Sequence, residues 1–228
     1  MKVIVFGAEN RIAEFRSAFA GNPGIEIDRG DAEPGEEDFK EYDLVCDLNF
    51  DDDSSSLPDY SRLKDKWVLV SAVKQSLAEA VYQHGVKVNC RLLGFNALPG
   101  FMQNGIWEIS CLKSWYKKDV PDLLQLLGKE AEIVEDRVGL VTPRVICSLV
   151  NEAAWALQEK TASASDMDLA MKLGTNYPFG PLEWADRIGI TDVFETLMSL
   201  YHDTQDERYK IAPLLKRKYL LNEKMHLR

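Results

Sequence analysis

Apolar positions in the first half of the chain fall into short runs separated by helical spacings. Val3-Ile4-Val5-Phe6 is an unbroken apolar run that stops at Gly7, and it predicts a strand. NRIAEFRSAFA, directly after it, sets Ile12, Phe15 and Phe19 on one face of a helix. IEIDRGD, residues 25–31, predicts a second strand, and AEPGEEDFKE, rich in Pro, Gly and acid, a loop. YDLVCDLNF predicts a third strand, followed by DDDSSSLPD as a solvated acidic loop. KWVLVSAV (66–73) predicts a buried strand, SLAEAVYQHG a helix stopped by Gly85, and VKVNCRLLGFN a further strand. Strands that alternate with helices and are covered on both faces predict a parallel α/β sheet.

Near Val138 the spacing becomes helical throughout. TPRVICSLVNEAAWALQEK predicts an amphipathic helix with Thr142 as N-cap, Pro143 in the first turn, and Val145, Leu149, Ala153 and Leu157 as its apolar stripe. SASDMDLAMKLG predicts a second helix, capped by Ser163 with Asp166 and stopped at Gly174. PLEWADRIG, TDVFETLMSLYHDT and APLLKRKYLLNEK predict three more. The expected fold is α/β plus all-α, with a parallel-sheet domain over 1–136 and a helical domain over 137–228.

Composition narrows the function classes. The net charge of −10 and the pI near 4.9 argue against a nucleic-acid partner. No apolar run approaches the ~20 residues of a membrane span, so no membrane partner is expected. Met1-Lys2 leads straight into a strand, so no secretory leader is expected either. Cys46, Cys90, Cys111 and Cys147 stand singly in apolar surroundings and read as buried thiols of a cytoplasmic protein. His84, His202 and His226 are far apart in sequence, and no metal site is expected.

The helical half carries a specific likeness. Residues 151–189, and above all MKLGTNYPFGPLEWAD, resemble the C-terminal domain of the 3-hydroxyacyl-CoA dehydrogenases. Further back, YDLVCDLNF and RLLGFNALPGFMQNGIWEIS resemble that family's third strand and its catalytic loop with the strand that follows. The resemblance implies a Rossmann domain, a helical domain that forms a homodimer, and hydride transfer between NAD and C3 of a 3-hydroxyacyl-CoA, in fatty acid metabolism. It also implies a catalytic histidine, a glutamate that orients it, and a serine and an asparagine that hold the substrate oxygen.

Carried over residue by residue, the resemblance places Asn96 at the histidine position, Glu108 at the glutamate and Pro143 at the substrate-binding asparagine. It places Lys74 or Gln75 at the serine and Pro99 at the loop asparagine. Asparagine hydrogen-bonds but takes no proton at neutral pH. Of the three glycines that admit a pyrophosphate, Gly7 is kept, while Glu9 and Ile12 stand at the other two. Glu9 is expected to carry a carboxylate into that space, and Ile12 to hold the helix off the strand. Asp31, at the end of the second strand, and Asp47, at the end of the third, stand where ribose would be bound. The stretch 31–42 is shorter than the family's, which holds a helical hairpin against coenzyme A there.

Glu108 reads either as a retained catalytic acid or as a plain strand residue. The expectation is a catalytically impaired family member that keeps the fold and the dimer, with NAD implied only by resemblance, and that binds an acyl-CoA-like ligand or a protein partner. Two rival readings stand beside it. One is an active NAD-dependent oxidoreductase on a 3-hydroxyacyl-CoA or small hydroxy acid with an altered site. The other is a regulatory or structural subunit of a full-length dehydrogenase.

Overall fold

The computed structural model describes residues 1–30 and 39–226, and the chain divides into two units, Met1–Leu140 and Val141–Arg228. The first unit is built on β1 (Lys2–Phe6), β2 (Glu26–Arg29), β3 (Leu44–Asp47), β4 (Trp67–Ser71), β5 (Arg91–Phe95), β6 (Ile106–Cys111) and β7 (Glu130–Val134). Their spatial order is β2-β1-β3-β4-β5-β6-β7. Every neighbouring pair is parallel except β5 and β6, where Phe95 faces Ile109 and Leu93 faces Cys111 in antiparallel register. The sheet is mostly parallel, as expected, with this one antiparallel pair. The chain returns from β5 to β6 through a loop without a helix, and a connection that short joins antiparallel neighbours.

Helices cover both faces because the strands are apolar on both. On one face, Ile12 and Phe15 of α1 (Glu9–Ser17) and Leu123 and Leu124 of α4 (Val120–Leu126) pack on Val3, Val5, Leu69, Leu93 and Ile109. Phe15, Phe19, Phe95 and Trp107 form a ring cluster there, with centroids 4.9–6.2 Å apart. On the other face, Leu57 and Tyr60 of α2 (Leu57–Arg62) and Leu77 and Ala80 of α3 (Leu77–His84) pack on Ile4, Val45, Val68, Val70 and Leu92.

The loop from Asn96 to Gly105 is held from both sides. The Glu14 carboxylate of α1 accepts the amides of Gly100 (3.0 Å) and Met102 (3.2 Å). The Lys129 ammonium donates to the carbonyls of Met102 (3.2 Å) and Asn104 (2.8 Å), above the ring of Trp107. Burial lowers the Lys129 pKa.

The second unit contains α5 (Thr142–Gln158), α6 (Ala164–Thr175), α7 (Pro181–Ile188), α8 (Ile190–Thr204) and α9 (Pro213–Leu220). α5 packs on α7, α8 and α9. Its buried stripe is Ile146, Val150 and Ala154, with Cys147 and Asn151, one position round from the expected Val145 stripe. Asn151 fixes the connection from α8 to α9, donating to Lys210 O (2.9 Å) and accepting from Ala212 N (2.8 Å).

α6 begins at its Ser163 cap as expected but runs past Gly174 to stop at Asn176, whose φ is +58°. Asp168 is buried and caps the next helix, accepting from Leu182 N (2.8 Å) and Glu183 N (3.1 Å). Gly180 is required beside it, since a Cβ there would lie 2.2 Å from the Asp168 side chain. Among the described residues no helix is long and apolar enough to cross a membrane.

The Glu14 clamp gives a stability test. Glu14→Ala leaves two loop amides without their acceptor and should destabilise the protein by about 2 kcal/mol, the scale of hydrogen bonds to a charged group. Urea unfolding at an unchanged m-value checks this; no change in midpoint would contradict the clamp.

Candidate functional site

In a sheet of this order the chain winds in opposite directions from β1 and β3, so a crevice opens at their carboxyl ends. The turn after β1 is tight. Gly7 has φ +146°, and a Cβ there would lie 2.9 Å from Leu48 Cβ. The next amide is already engaged, with Ala8 N donating to Asn49 Oδ1 at 3.0 Å. Glu9 opens α1, is exposed, and pairs with Arg29 at the end of β2. Ile12 is buried in the core under the sheet.

Arg11, in the first turn of α1, is 5% exposed and lies along the carboxyl end of β3. It donates to Leu48 O at 2.6 Å and stands 3.2 Å from Asp52 Oδ2. The other Asp52 oxygen takes Lys74 Nζ at 2.6 Å. Asp51 turns inward and accepts the amides of Val73 (2.8 Å) and Lys74 (2.7 Å) and the hydroxyl of Ser71. Burial raises its pKa against those hydrogen bonds. The solvated loop expected for Asp51 to Asp53 is therefore corrected. Its first two acids close over the end of β4, because the amides past that strand have no ladder partner and need an acceptor. Lys74 and Gln75, the two candidates for the serine position, both serve this closure: Gln75 Nε2 donates to Phe50 O at 2.9 Å.

Asp47 ends β3 and is 5% exposed. Its Oδ1 accepts Asn49 N (3.0 Å), and its Oδ2 accepts the hydroxyls of Ser56 (3.1 Å) and Tyr60 (3.0 Å). Burial raises its pKa and pushes the Tyr60 hydroxyl well up. A cavity of about 300 Å³ remains beside it, bordered by Gly7, Arg29, Gly30, Asn49 and Asp53.

The other sequence-derived positions are scattered. Asn96 follows β5, half-buried, and its Oδ1 accepts Leu98 N at 3.1 Å in a turn of its own. Glu108 is half-buried in β6, opposite Glu132 of β7. One further step of the β5–β6 register sets Asn96 opposite Glu108. Pro143 is buried in the first turn of α5, in the second unit. Asp31 lies outside the described residues. His84, the histidine of the first unit, sits 2.9 Å from Ser54 Oγ at the end of α3. All four cysteines are free and buried. Burial pushes Cys90 and Cys147 up to about 12, so neither is a thiolate nucleophile at neutral pH.

Sequence reasoning missed Arg11, Asn49 and Asp51. The available signal was a basic residue in the first turn of α1, together with carboxylate and amide side chains just past a strand.

A seven-stranded sheet with helices on both faces, followed by a helical unit, is the architecture of a two-domain dehydrogenase. Residues 139–226 match the family described as 3-hydroxyacyl-CoA dehydrogenase, C-terminal domain. The 3-hydroxyadipyl-CoA dehydrogenase of Escherichia coli (strain K12) is 40% identical over 98 residues, 43% of this chain and 21% of that protein. The 3-hydroxybutyryl-CoA dehydrogenase of Clostridioides difficile is 27% identical over 195 residues, 82% of this chain and 69% of that protein. The crystal structure of (S)-3-hydroxybutyryl-CoA dehydrogenase from Ralstonia eutropha shares the fold with a TM-score of 0.74 at 22% identity, covering 96% of this chain and 93% of that one. These likenesses support a 3-hydroxyacyl-CoA dehydrogenase family member, with the family match lying in residues 139–226. It spans 21–35% of the length of three curated relatives that it matches at 36–40% identity.

Asp47 gives a pH test. Its folded pKa is raised, so its favourable contribution is complete below the unfolded value of about 3.9 and is lost as pH rises through the folded value. Wild type should therefore gain more stability than Asp47→Asn between pH 7 and pH 4. Parallel thermal melts of the two proteins in this range would refute the assignment.

Proposed function

We propose that the chain is a catalytically impaired member of its family that does not bind NAD in the family manner. One observation carries this reading: the crevice at the ends of β1, β3 and β4 is filled by Asn49, Arg11, Asp52 and Lys74, which engage one another and the adjoining backbone. The Ala8 amide, which would meet a pyrophosphate at the start of α1, already has an acceptor. The remaining cavity of about 300 Å³ lies at the small end of ligand pockets and presents Asp47 and Asp53, a poor match to a dianion. Asn96, in the position assigned to the general base, cannot take a proton, and that loss alone costs on the order of 10²–10⁴ in rate. Asp47 remains a candidate for a small hydroxylated ligand in this cavity, and Glu108 stands in register with Asn96.

The test is a thermal shift with NAD, NADH and acetoacetyl-CoA, together with NADH oxidation. A ligand at 100 times its Kd stabilises by ~2.7 kcal/mol. We expect no shift with either nucleotide and no hydride transfer; a clear NADH shift with turnover would overturn the proposal.

The helical unit supports a homodimer. Val141 and Val145 of the α5 start are 52% and 47% exposed, and Leu169 and Leu173 of α6 are 52% and 79% exposed. These apolar side chains are left about half exposed or more, an apolar surface suited to a second copy. Light scattering should give about twice the 25.8 kDa chain mass, and Leu173→Glu should shift it towards the monomer. A monomeric wild type at micromolar concentration would exclude the dimer. A cytoplasmic setting fits the four free thiols.

A further inference from the structure

A cavity of about 840 Å³ opens at the carboxyl end of α5, entirely within the second unit. The last residues of α5, the first of α6, one face of α9 and the tail at Met225 and His226 enclose it. Four basic side chains border it, Lys160, Arg217, Lys218 and His226, against one acid, Glu223. Two of the four are committed. Lys218 Nζ holds Glu223 at 3.1 Å, and the two ring nitrogens of His226 face Asp168 and Asp186, each at 2.9 Å. The side chains of Lys160 and Arg217 have no ion-pair or hydrogen-bond partner among the described residues.

The local charge balance makes this pairing pattern informative. The excess acid of the chain lies in the first unit, while positions 141–228 hold 11 basic and 12 acidic residues. Three other cations in this unit find acids: Lys172 reaches Glu183 at 2.8 Å, Arg208 reaches Asp206 at 2.6 Å and Lys210 reaches Glu207 at 3.5 Å, while Arg187 lies over the ring of Phe179. At the cavity Lys160 and Arg217 both border the space without an acid partner among the described residues, and Lys218 borders it as well. Apolar walls complete the space, from Leu157, Leu214 and Met225, with Ser165 adding a hydroxyl.

We propose that this cavity binds an organic phosphate, with the phosphoryl group on Lys160 and Arg217 and an apolar body against Leu157, Leu214 and Met225. A planar guanidinium beside an ammonium suits a doubly charged phosphoryl head, since the fork takes two oxygens and the ammonium a third. The volume lies within the range of small-molecule sites and is far larger than a phosphate ion needs. The site is independent of the first unit, so it stands whether or not the chain transfers hydride.

Titration calorimetry on the full chain tests it, with hexyl phosphate as probe and inorganic phosphate and hexanol as controls. Hexyl phosphate should bind about tenfold tighter than inorganic phosphate or more. Lys160→Glu with Arg217→Glu should weaken it about 100-fold, from the loss of two charge-assisted contacts, with the ligand-free melting temperature unchanged. If charge reversal lowers that temperature, the Lys160→Gln, Arg217→Gln pair carries the same test. Arg29→Glu, in the first unit, should leave affinity unchanged. Equal binding of inorganic and hexyl phosphate, no binding at all, or binding that Arg29→Glu abolishes and the double variant spares would each overturn the proposal.

Discussion

The amide of Ala8 and those of Val73 and Lys74 share one constraint: each emerges from the end of a strand with no ladder partner. A backbone donor in such a place must meet an acceptor. In sheets of this order a ligand commonly supplies it at the crevice. Here the protein supplies it from its own β3 connection, through Asn49 to Ala8 and through Asp51 to Val73 and Lys74. Arg11 and Asp52 follow from that choice. Once Asp51 is drawn in, its neighbour Asp52 comes within reach of Arg11 and Lys74 and bridges the two cations.

Electrostatics and rigidity point the same way. Burial raises the pKa of both Asp47 and Asp51, and hydrogen bonds to amides and hydroxyls oppose that rise. Through those hydrogen bonds both carboxylates hold the structure at the ends of β3 and β4. The loop that bears Asn96 is pinned at its amides by Glu14 and at its carbonyls by Lys129. A loop tied at donors and acceptors alike has little freedom to close over a substrate. The second unit contrasts with this, since its charge is nearly balanced and two cations without an acid partner among the described residues, Lys160 and Arg217, border one cavity.

Much of the architecture was readable in periodicity. The apolar runs at Val3, Leu44, Trp67 and Leu92 are strands because both faces of the sheet are covered. The capping residue Ser163 and the buried Pro143 sit where local chemistry requires. The misses have physical causes. α5 is packed from several directions, so two neighbouring apolar stripes look alike in sequence, and only packing selects Ile146, Val150 and Ala154 over Val145, Leu149 and Ala153. Gly174 was a plausible stop, but Asn176 also tolerates positive φ and ended the helix. Asp51 to Asp53 look solvated in sequence, because nothing local reports that Val73 and Lys74 will be in need of an acceptor. The crevice was legible as altered at Glu9, yet Glu9 turned to Arg29, and the filling came from Arg11 and Asn49.

Asp168 carries a wider consequence. It caps α7, sets Gly180 against its own side chain, and meets His226 from the tail. Glu183 and Asp186, a few residues on, are likewise spent on the Gly180 amide and on the backbone of Met225 and His226. The stretch through which kinship is most visible is thus an engineering drawing of joints. Its hydrogen bonds answer to the need to assemble this bundle. A lineage can exchange its chemistry and still be known by this signature, so ancestry read from it dates the scaffold rather than the reaction.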